Sequence, residues 1–397
     1  MATFSVRFLG CKVSYADAQA IRERLLADGH REVSGAGDVA VVNTCCVTHE
    51  AVSKSRQAVA RATRTHGRVY VTGCAANLRS AFEHVAPNVS VIARPSEEVP
   101  AAVAGDVGAI GCMQARVGLE RVRAFVKIQD GCSFSCSFCV IPLVRGATRS
   151  RSAAAVLAEI ARRVGQGHGE IVLTGVNLGC FRDRETGYAL ARLVREAGSI
   201  PGVERLRLSS IEVNHLGRDL VEALRETPTA SLHLHVPLQS GDDAVLRAMR
   251  RRYTSAQYLA KLVPLRDFNL TADVIVGFPG EDDAAFARTL DVICEAAITR
   301  VHAFPYSPRP GTATAAADTV PIEVKKERSA RLRALSDELS RSRWLSRVGS
   351  TDRVLVDRPG RGYGADYTPW LLDGEVGQLL TARAVGVSEE GILAVAA

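Results

Sequence analysis

The stretch "VKIQDGCSFSCSFCVIPLVRGATRSRS", residues 126–152, decides how the rest of the chain is read. It sets Cys132, Cys136 and Cys139 in the spacing CxxxCxxC with no fourth thiol beside them. A structural zinc site takes four ligands, usually as two CxxC-like pairs, and a 4Fe-4S cluster has four irons to ligate. Three cysteines satisfy neither count, so one corner of the metal centre is left open. The amine and carboxylate of an amino acid can together chelate an iron left open in this way.

Working outward, the triplet follows "AFVKIQDG" (124–131), the first of six stretches that read as buried strands. The others are "GEIVLTGVNLG", "RLRLSSIEV", "SLHLHVPLQSG", "NLTADVIVGFPG" and "ITRVHAFPYSP", with helical stretches at 153–165, 186–198, 217–227, 242–263 and 281–297. Six βα repeats predict a partial (β/α)6 barrel of parallel strands, with its active face on the strand-end loops.

Upstream, "TFSVRFLG", "VAVVNTC" and "RVYVTGC" read as three strands of an open α/β domain, alternating with helical "YADAQAIRERLLADG" and "HEAVSKSRQAVARATR". Each strand runs into a cysteine: Cys11, Cys45 (or its neighbour Cys46) and Cys74. In open α/β sheets, sites gather outside the carboxyl ends of strands, so three thiols can converge there. Downstream, Pro321 opens a long basic helix with the proline near its first helical position. Its eight Lys/Arg stand against four Asp/Glu, and Gly349 ends it. The last segment alternates short apolar runs with Gly, Asp and Pro and reads as a small β-barrel. The expected domains are 1–115, 118–347 and 349–397 of an α/β protein.

The 397 residues are 47% hydrophobic but only 5% aromatic, a composition suited to Val/Ile-rich parallel strands. No apolar run reaches about 18 residues, so no membrane partner is expected, and the N-terminus lacks the apolar core of a secretory signal. A cytoplasmic location follows as an expectation, and in that reducing setting spaced cysteines read as metal or catalytic sites. The formal net charge of +7 favours a polyanionic partner such as nucleic acid.

The CxxxCxxC motif at the end of the first barrel strand resembles the radical S-adenosylmethionine enzymes. In that family the open iron binds the methionine part of S-adenosylmethionine, which is cleaved to a 5′-deoxyadenosyl radical. The resemblance implies that Phe138 lies beside the adenine and that Thr174 and Gly175, in "LTGVNLG", offer backbone to the methionine amine. "DVIVGFPGE", with Asp273, matches the adenine-side strand loosely. Glu212 in "SSIE", with Gln239 and Ser240 in "PLQSG", are strand-end polar groups on the same side.

The three-part layout, with strand-end cysteines in the first domain and a small final barrel, resembles the methylthiotransferases over essentially the whole chain. Their last module is the TRAM domain, an OB-like RNA-binding barrel. By this resemblance Cys11, Cys45 and Cys74 hold a second, auxiliary 4Fe-4S cluster whose open iron carries the sulfur to be methylated and inserted. It also implies an electron donor such as flavodoxin or ferredoxin, and leaves the sulfur donor unassigned. Such chemistry suits an unactivated C–H bond, which no shifted side-chain pKa reaches.

Among the branches of that family, "FLGCK", "KSRQ", "VKIQDGC", "RGATRSRS", "HVPLQSGDDAVLRAMRRRYT" and "FPYSPRPGTA" look most like the one acting on threonylcarbamoyladenosine in tRNA. The isopentenyladenosine branch usually has an acidic residue in its "RGxExSR". The alternatives are that branch, a ribosomal-protein substrate, or a non-RNA small molecule or peptide. The threonylcarbamoyl group carries a carboxylate, which Arg149 can grip bidentately, and Arg145 is its companion among the expected substrate contacts. Ser14 and Ala16 depart from the usual residues after "GCK", and Cys112, Cys180 and Cys294 have no assigned role. Residues 349–397 hold four Arg against seven Asp/Glu, a net of −3. RNA binding, which rests on phosphate neutralisation, is therefore expected to fall on the basic helix, on "RAMRRRY" (247–253) and on "KSRQ" (54–57).

Overall fold

The computed structural model describes residues 1–78, 81–93, 98–107 and 122–397. Two compact units cut across the sequence order. The first combines Met1–Gly118 with Asp130–Arg149 and Arg309–Ala315; the second combines Leu119–Gln129, Ser150–Pro308 and Ala316–Ala397. Cys112 and the boundary expected near 115–118 lie outside the described residues.

The first unit runs β1 (Thr3–Phe8), α1 (Lys12–Ala27), β2 (Arg31–Glu32), β3 (Gly37–Thr44), α2 (His49–Ala62), β4 (His66–Gly73), β5 (Val89–Val91) and α3 (Glu98–Val107). The strands form one sheet in the order β2-β1-β3-β4-β5, parallel throughout. The run "VAVV" in β3 is buried on both faces. Val39 and Val41 pack with Phe4, Ile21, Leu25 and Tyr70, while Ala40 and Val42 pack with Ala58, Val59, Val69 and Val71. Covering both faces is what makes such a strand continuously apolar. Because the strands are parallel, the carboxyl ends of β1, β3 and β4 share an edge. The short β2 and β5, which the sequence reading missed, hold too few residues to carry a period.

The remaining elements are β6 (Arg123–Asp130), α4 (Ile141–Arg145), β7 (Arg149–Ser150), α5 (Ala153–Gly165), β8 (Glu170–Gly175), α6 (Leu190–Gly198), β9 (Arg205–Leu208), α7 (Arg218–Glu226) and β10 (His233–His235). They continue with α8 (Asp243–Ala248), α9 (Ser255–Leu262), β11 (Asn269–Val276), α10 (Asp283–Glu295), β12 (Ile298–Pro305) and α11 (Ile322–Leu345). Strands β6, β8 and β9 are parallel neighbours, as are β10, β11 and β12, and a parallel bridge from Ser210 to His235 joins the two sets. All six expected barrel strands are present. Alternate positions, among them Val126, Ile128, Ile171, Leu173, Leu206, Leu208, Ala272 and Val274, pack into one core with the helices. The intervening positions, including Glu170, Thr174, Arg205, Arg207 and Asp273, therefore take the opposite face, inside the arc.

The single helix expected over 242–263 is two. Arg250 takes a left-handed φ of 56°, and Thr254 starts α9 with a reciprocal capping box to Gln257. "TSAQ" is the S/T-x-x-Q signature of a fresh N-terminus. Pro321 sits at the N-cap of α11 rather than inside its first turn.

The final segment closes into a barrel, β13 (Thr351–Arg358), β14 (Arg361–Tyr363), β15 (Pro369–Leu371), β16 (Leu379–Val387) and β17 (Ile392–Ala396), ordered β13-β14-β15-β17-β16. Trp344 of α11 joins its core beside Val354, Trp370 and Ile392, so helix and barrel share one apolar interior. Much of the basic charge of α11 and of the turn after it, which holds Arg347, is internal. Lys325 pairs with Asp318, Arg328 with Glu281 and Asp283, and Arg343 and Arg347 with Asp366. Lys326, Arg331, Arg333 and Arg341 remain on its exposed surface. In "RAMRRRY", Arg251 also turns inward, to Glu212, and in "KSRQ" Arg56 donates to the Ala81 carbonyl at 2.8 Å. Among the described residues no helix is long and apolar enough to cross a membrane.

Candidate active site

In the first unit, Cys11, Cys45 and Cys74 follow β1, β3 and β4 at the common sheet edge. Two glycines make the approach possible. Gly10 has φ +121°, and a Cβ there would lie 3.1 Å from Cys45 Sγ. Gly73 has φ +91°, and its Cβ would meet Asn43 Oδ1 at 2.2 Å and the Thr44 carbonyl at 2.6 Å. Neither turn accepts a side chain without strain. The "NTC" motif supplies the scaffold. Asn43 Nδ2 donates to the Ser14 carbonyl at 3.1 Å, Thr44 Oγ1 donates to the Thr72 carbonyl at 2.6 Å, and Cys74 N donates to the Thr44 carbonyl at 3.0 Å. Ser55, from "KSRQ", accepts from Cys45 N at 3.1 Å.

Cys11 is exposed, while Cys45 and Cys74 are buried. Cys46 is fully buried and packs with Cys74, Ala75, Ala81, Val140 and Val144, an apolar pocket. Cys45, by contrast, lies against the Gly10 turn that leads into Cys11. Burial pushes the Cys45 thiol up to about 11. Cys74 is held below the ordinary thiol range by a hydrogen bond from Cys46 and by the Arg145 cation, against the effect of burial.

Cys132, Cys136 and Cys139 occupy the irregular loop after β6, each half-buried. Gly131 has φ +70°, and a Cβ there would fall 2.1 Å from the Ala147 carbonyl oxygen, so only glycine lets the two arms of the loop close. Cys132 N donates to the Gly146 carbonyl at 3.0 Å, and Thr148 and Ser133 exchange hydrogen bonds at 3.1 and 3.2 Å. Thr314 N donates to the Ser137 carbonyl at 3.1 Å, which ties the segment Arg309–Ala315 to the loop. Phe134 N points at Cys132 Sγ from 3.4 Å. An N–H aimed at a sulfur suits a thiolate ligand. Phe138, expected beside the adenine, is half-buried in the same loop.

The expected S-adenosylmethionine residues of the second unit have mixed surroundings. Gly175 lies so close to β6 that a Cβ would be 2.9 Å from Gln129 Oε1, and that same oxygen accepts from Asn177 N at 2.8 Å. Thr174 is 1% exposed. Gln239 adopts a left-handed φ of 65° and stitches its loop to β11, donating to the Asp273 carbonyl at 2.8 Å and accepting from Ile275 N at 2.9 Å. Glu212 pairs with Arg251. Ser240 is fully buried, and its hydroxyl faces Thr289 Oγ1 at 3.5 Å and accepts from Asp242 N at 3.2 Å. The Ser240 side chain thus serves the loop, whereas Asp273 lies among polar groups inside the arc.

Arg149 and Arg145 separate clearly. Arg149 is 53% exposed, with one terminal nitrogen 3.4 Å from Asp130 and the other donating to the Arg145 carbonyl at 3.1 Å. Arg145 is 5% exposed and commits its guanidinium to Cys74 Sγ, Asp17 and Asp130, each at 3.0 Å. Arg145, expected among the substrate contacts, has all three nitrogens of its guanidinium engaged by these internal partners. Arg309 approaches the same cysteines, donating to the Cys46 carbonyl at 3.4 Å.

Sequence reading missed Asp17, Asp130 and Arg309, and also the histidines inside the arc beside Asp273. His235 Nε2 lies 3.2 Å from Asp273 Oδ2, and His235 Nδ1 lies 2.9 Å from Thr271 Oγ1, which also meets His233 Nε2 at 3.2 Å. Among the described residues, only His235, Asp273 and His302 bring three metal-capable side chains within 4.8 Å of one another. The signal for the histidines was the alternation in "HLH", which puts two polar rings on one face of a buried strand. Cys180 contacts His215 Nε2 at 3.4 Å, and Cys294 is exposed on α10.

Residues 126–293 match the Radical SAM superfamily, and residues 3–93 match UPF0004, described as an uncharacterized protein family. A threonylcarbamoyladenosine tRNA methylthiotransferase MtaB from Bacillus subtilis is 37% identical, covering 86% of this chain and 82% of that relative. A protein of the same name from Thermotoga maritima is 32% identical over 99% of this chain and 96% of its own length. The tRNA-2-methylthio-N(6)-dimethylallyladenosine synthase of Streptomyces coelicolor is 34% identical over 92% of this chain and 79% of its own. Among solved structures, the radical S-adenosylmethionine methyltransferase TsrM from Kitasatospora setae aligns with TM-score 0.58 at 13% identity, covering 79% of this chain and 77% of that one. That likeness concerns the fold alone.

Proposed function

The chain belongs to the radical S-adenosylmethionine tRNA methylthiotransferases, and from that membership we propose that it converts N6-threonylcarbamoyladenosine beside the anticodon of tRNA into its 2-methylthio derivative. The observation that carries this reading is the pairing of two cysteine triplets with different surroundings. A chain that needed only a radical would need only Cys132, Cys136 and Cys139. The strand-end set of Cys11, Cys45 and Cys74, cradled by Gly10 and Gly73, is what sulfur insertion adds.

When bound, two 4Fe-4S clusters and S-adenosylmethionine supply the radical and the methylated sulfur, as hard chemistry is generally carried by cofactors. The chain's own residues hold, orient and shield them. Gly175 keeps β8 against Gln129 without an intervening side chain, so that backbone and amide groups line that approach. The polar groups His235, Asp273 and His302 inside the arc give it hydrogen-bonding capacity toward a base or its substituent. Arg149, with half its side chain in solvent, is available to a substrate carboxylate in the bidentate manner of guanidinium groups. RNA is contacted through the exposed Arg247, Arg250 and Arg252 and the outward residues of α11.

A second reading, methylthiolation of dimethylallyladenosine, is favoured by the 34% identity to the Streptomyces protein of that name. Single-turnover reactions on three tRNAs separate the two: one with the threonylcarbamoyl group, one with the dimethylallyl group and one with neither. Nucleoside mass spectrometry is expected to find the 2-methylthio product only from the first. Product from the dimethylallyl tRNA alone transfers the chain to the second reading, and no product from any tRNA removes RNA as the substrate.

A further inference from the structure

Arg145 ends α4 and reaches three partners that are far apart in sequence. Its Nε donates to Cys74 Sγ, 71 residues away, at 3.0 Å, and one terminal nitrogen donates to Asp17 Oδ2, 128 residues away, at 3.0 Å. The other terminal nitrogen donates to Asp130 Oδ1 at 3.0 Å. The side chains of Arg145 and Asp17 are 5% and 4% exposed, and that of Asp130 is 17% exposed. Asp17 lies on α1, the helix that Cys11 caps. Asp130 closes β6 two residues before Cys132, and Gly146, next to Arg145, accepts the Cys132 N–H at 3.0 Å. One guanidinium therefore bonds to a sulfur of the first triplet and braces the strand that leads into the second.

We infer that Arg145 tunes the reduction potential of a cluster held by Cys11, Cys45 and Cys74, through its Nε–H bond to the Cys74 sulfur, with Asp17 and Asp130 fixing the guanidinium in place. The inference deepens the methylthiotransferase reading and rests on it, because it needs a cluster at these cysteines. Hydrogen bonds to cluster sulfurs and the net charge around a cluster are established determinants of its potential. A cluster on three thiolates is already anionic, and reduction adds a further negative charge. A buried cation touching a ligand sulfur favours the reduced form, because low effective dielectric strengthens their attraction. The planar fork matters as well as the charge, since it serves the sulfur and both carboxylates at once. Arg145 acts through Cys74 and is a positioning residue rather than a catalytic one.

The test uses the full-length chain with Cys132→Ala, Cys136→Ala and Cys139→Ala, reconstituted anaerobically so that only the first triplet can hold a cluster. Its midpoint potential is read by EPR-monitored redox titration, alone and combined with Arg145→Met, Arg145→Lys or Asp17→Asn, at matched iron content. Arg145→Met is expected to weaken the preference for the reduced form at least tenfold, a negative shift of ~59 mV for a one-electron couple. Arg145→Lys is expected to shift it less in the same direction, because charge is kept while the fork is lost. Asp17→Asn is expected to move it positive. Opposite signs cannot come from general loosening of the fold. If Arg145→Met fails to retain a cluster, Asp17→Asn and Arg145→Lys decide alone. Unchanged potentials in variants with full iron content overturn the inference and leave Arg145 a structural brace, while the two-cluster reading stands. A background chain that binds no iron overturns both.

Discussion

Two buried arginine clusters in this molecule obey the same electrostatics and come to different ends. Around Arg145 the partners are two carboxylates and a thiol. At the amino ends of β8 and β9, Arg205 and Arg207 share Glu170 at 3.3 and 3.1 Å, and Arg207 lies 3.3 Å from the centre of the Tyr367 ring. Arg205 also donates to the carbonyls of Tyr363 and Arg353. These partners come from the final barrel, so this cluster docks that barrel onto the amino ends of the strands. Both clusters satisfy the rule that a buried charge must be paired, but of the two only the one at the carboxyl edge of its sheet includes a thiol, that of Cys74. In parallel α/β folds chemistry gathers at carboxyl ends and the opposite ends serve stability. The difference between the clusters is that rule expressed in side chains.

The largest effect should come from Glu170. Glu170→Ala strands two guanidiniums, Arg205 and Arg207, in a site where Glu170 itself is 1% exposed, and breaking a buried pair costs about 3–5 kcal/mol. Denaturant unfolding should report that loss while iron binding in the native state stays intact. A stable Glu170→Ala, or one that loses iron at once, breaks the comparison. Tyr367→Ala removes the ring beneath Arg207 and should cost about 2 kcal/mol, the scale of a desolvated cation–π contact, again with no change in iron.

A pH signature sharpens the docking side further. Burial alone would raise the Asp366 carboxyl, but Arg347 and Arg343, each 2.7 Å away, outweigh it and hold it below its ordinary 3.8. A carboxyl lowered on folding contributes stability that is fully present above the ordinary value and lost as pH falls through the lowered one. Acid unfolding of the parent chain should therefore steepen below about pH 4, and Asp366→Asn should flatten that limb while lowering stability at neutral pH. The smallest effect is expected at Cys46. Cys46→Ser should retain both clusters, since Cys45 lies against the Gly10 turn and Cys46 faces the apolar pocket of Val140 and Val144. Loss of a cluster in Cys46→Ser with retention in Cys45→Ser would exchange the two assignments.

Much of this was legible in the sequence because local patterns carried it. The six barrel strands, the strand-end thiols and the closed final barrel all rest on short runs with clear punctuation. What was not legible depends on pairs distant in the chain. Nothing near "LVRGATR" signals that Arg145 will meet Cys74 and Asp17, or that "YGADY" will seat Tyr367 under Arg207. The charge count of the basic segment likewise gave no sign that Lys325, Arg328, Arg343 and Arg347 would find internal acids. The break between α8 and α9 was readable in "TSAQ", but the apolar periodicity on either side of it masked the cap.

That the chain carries two separate open clusters is tested most directly by chemical assay of iron and sulfide per chain, with Mössbauer spectroscopy identifying the cluster type. The account predicts about eight irons in the parent chain, as two 4Fe-4S clusters require. It predicts half of that in Cys132→Ala/Cys136→Ala/Cys139→Ala, and half again, with the complementary spectrum, in Cys11→Ala/Cys45→Ala/Cys74→Ala. Four irons in the parent chain that vanish with one triplet and ignore the other would contradict it.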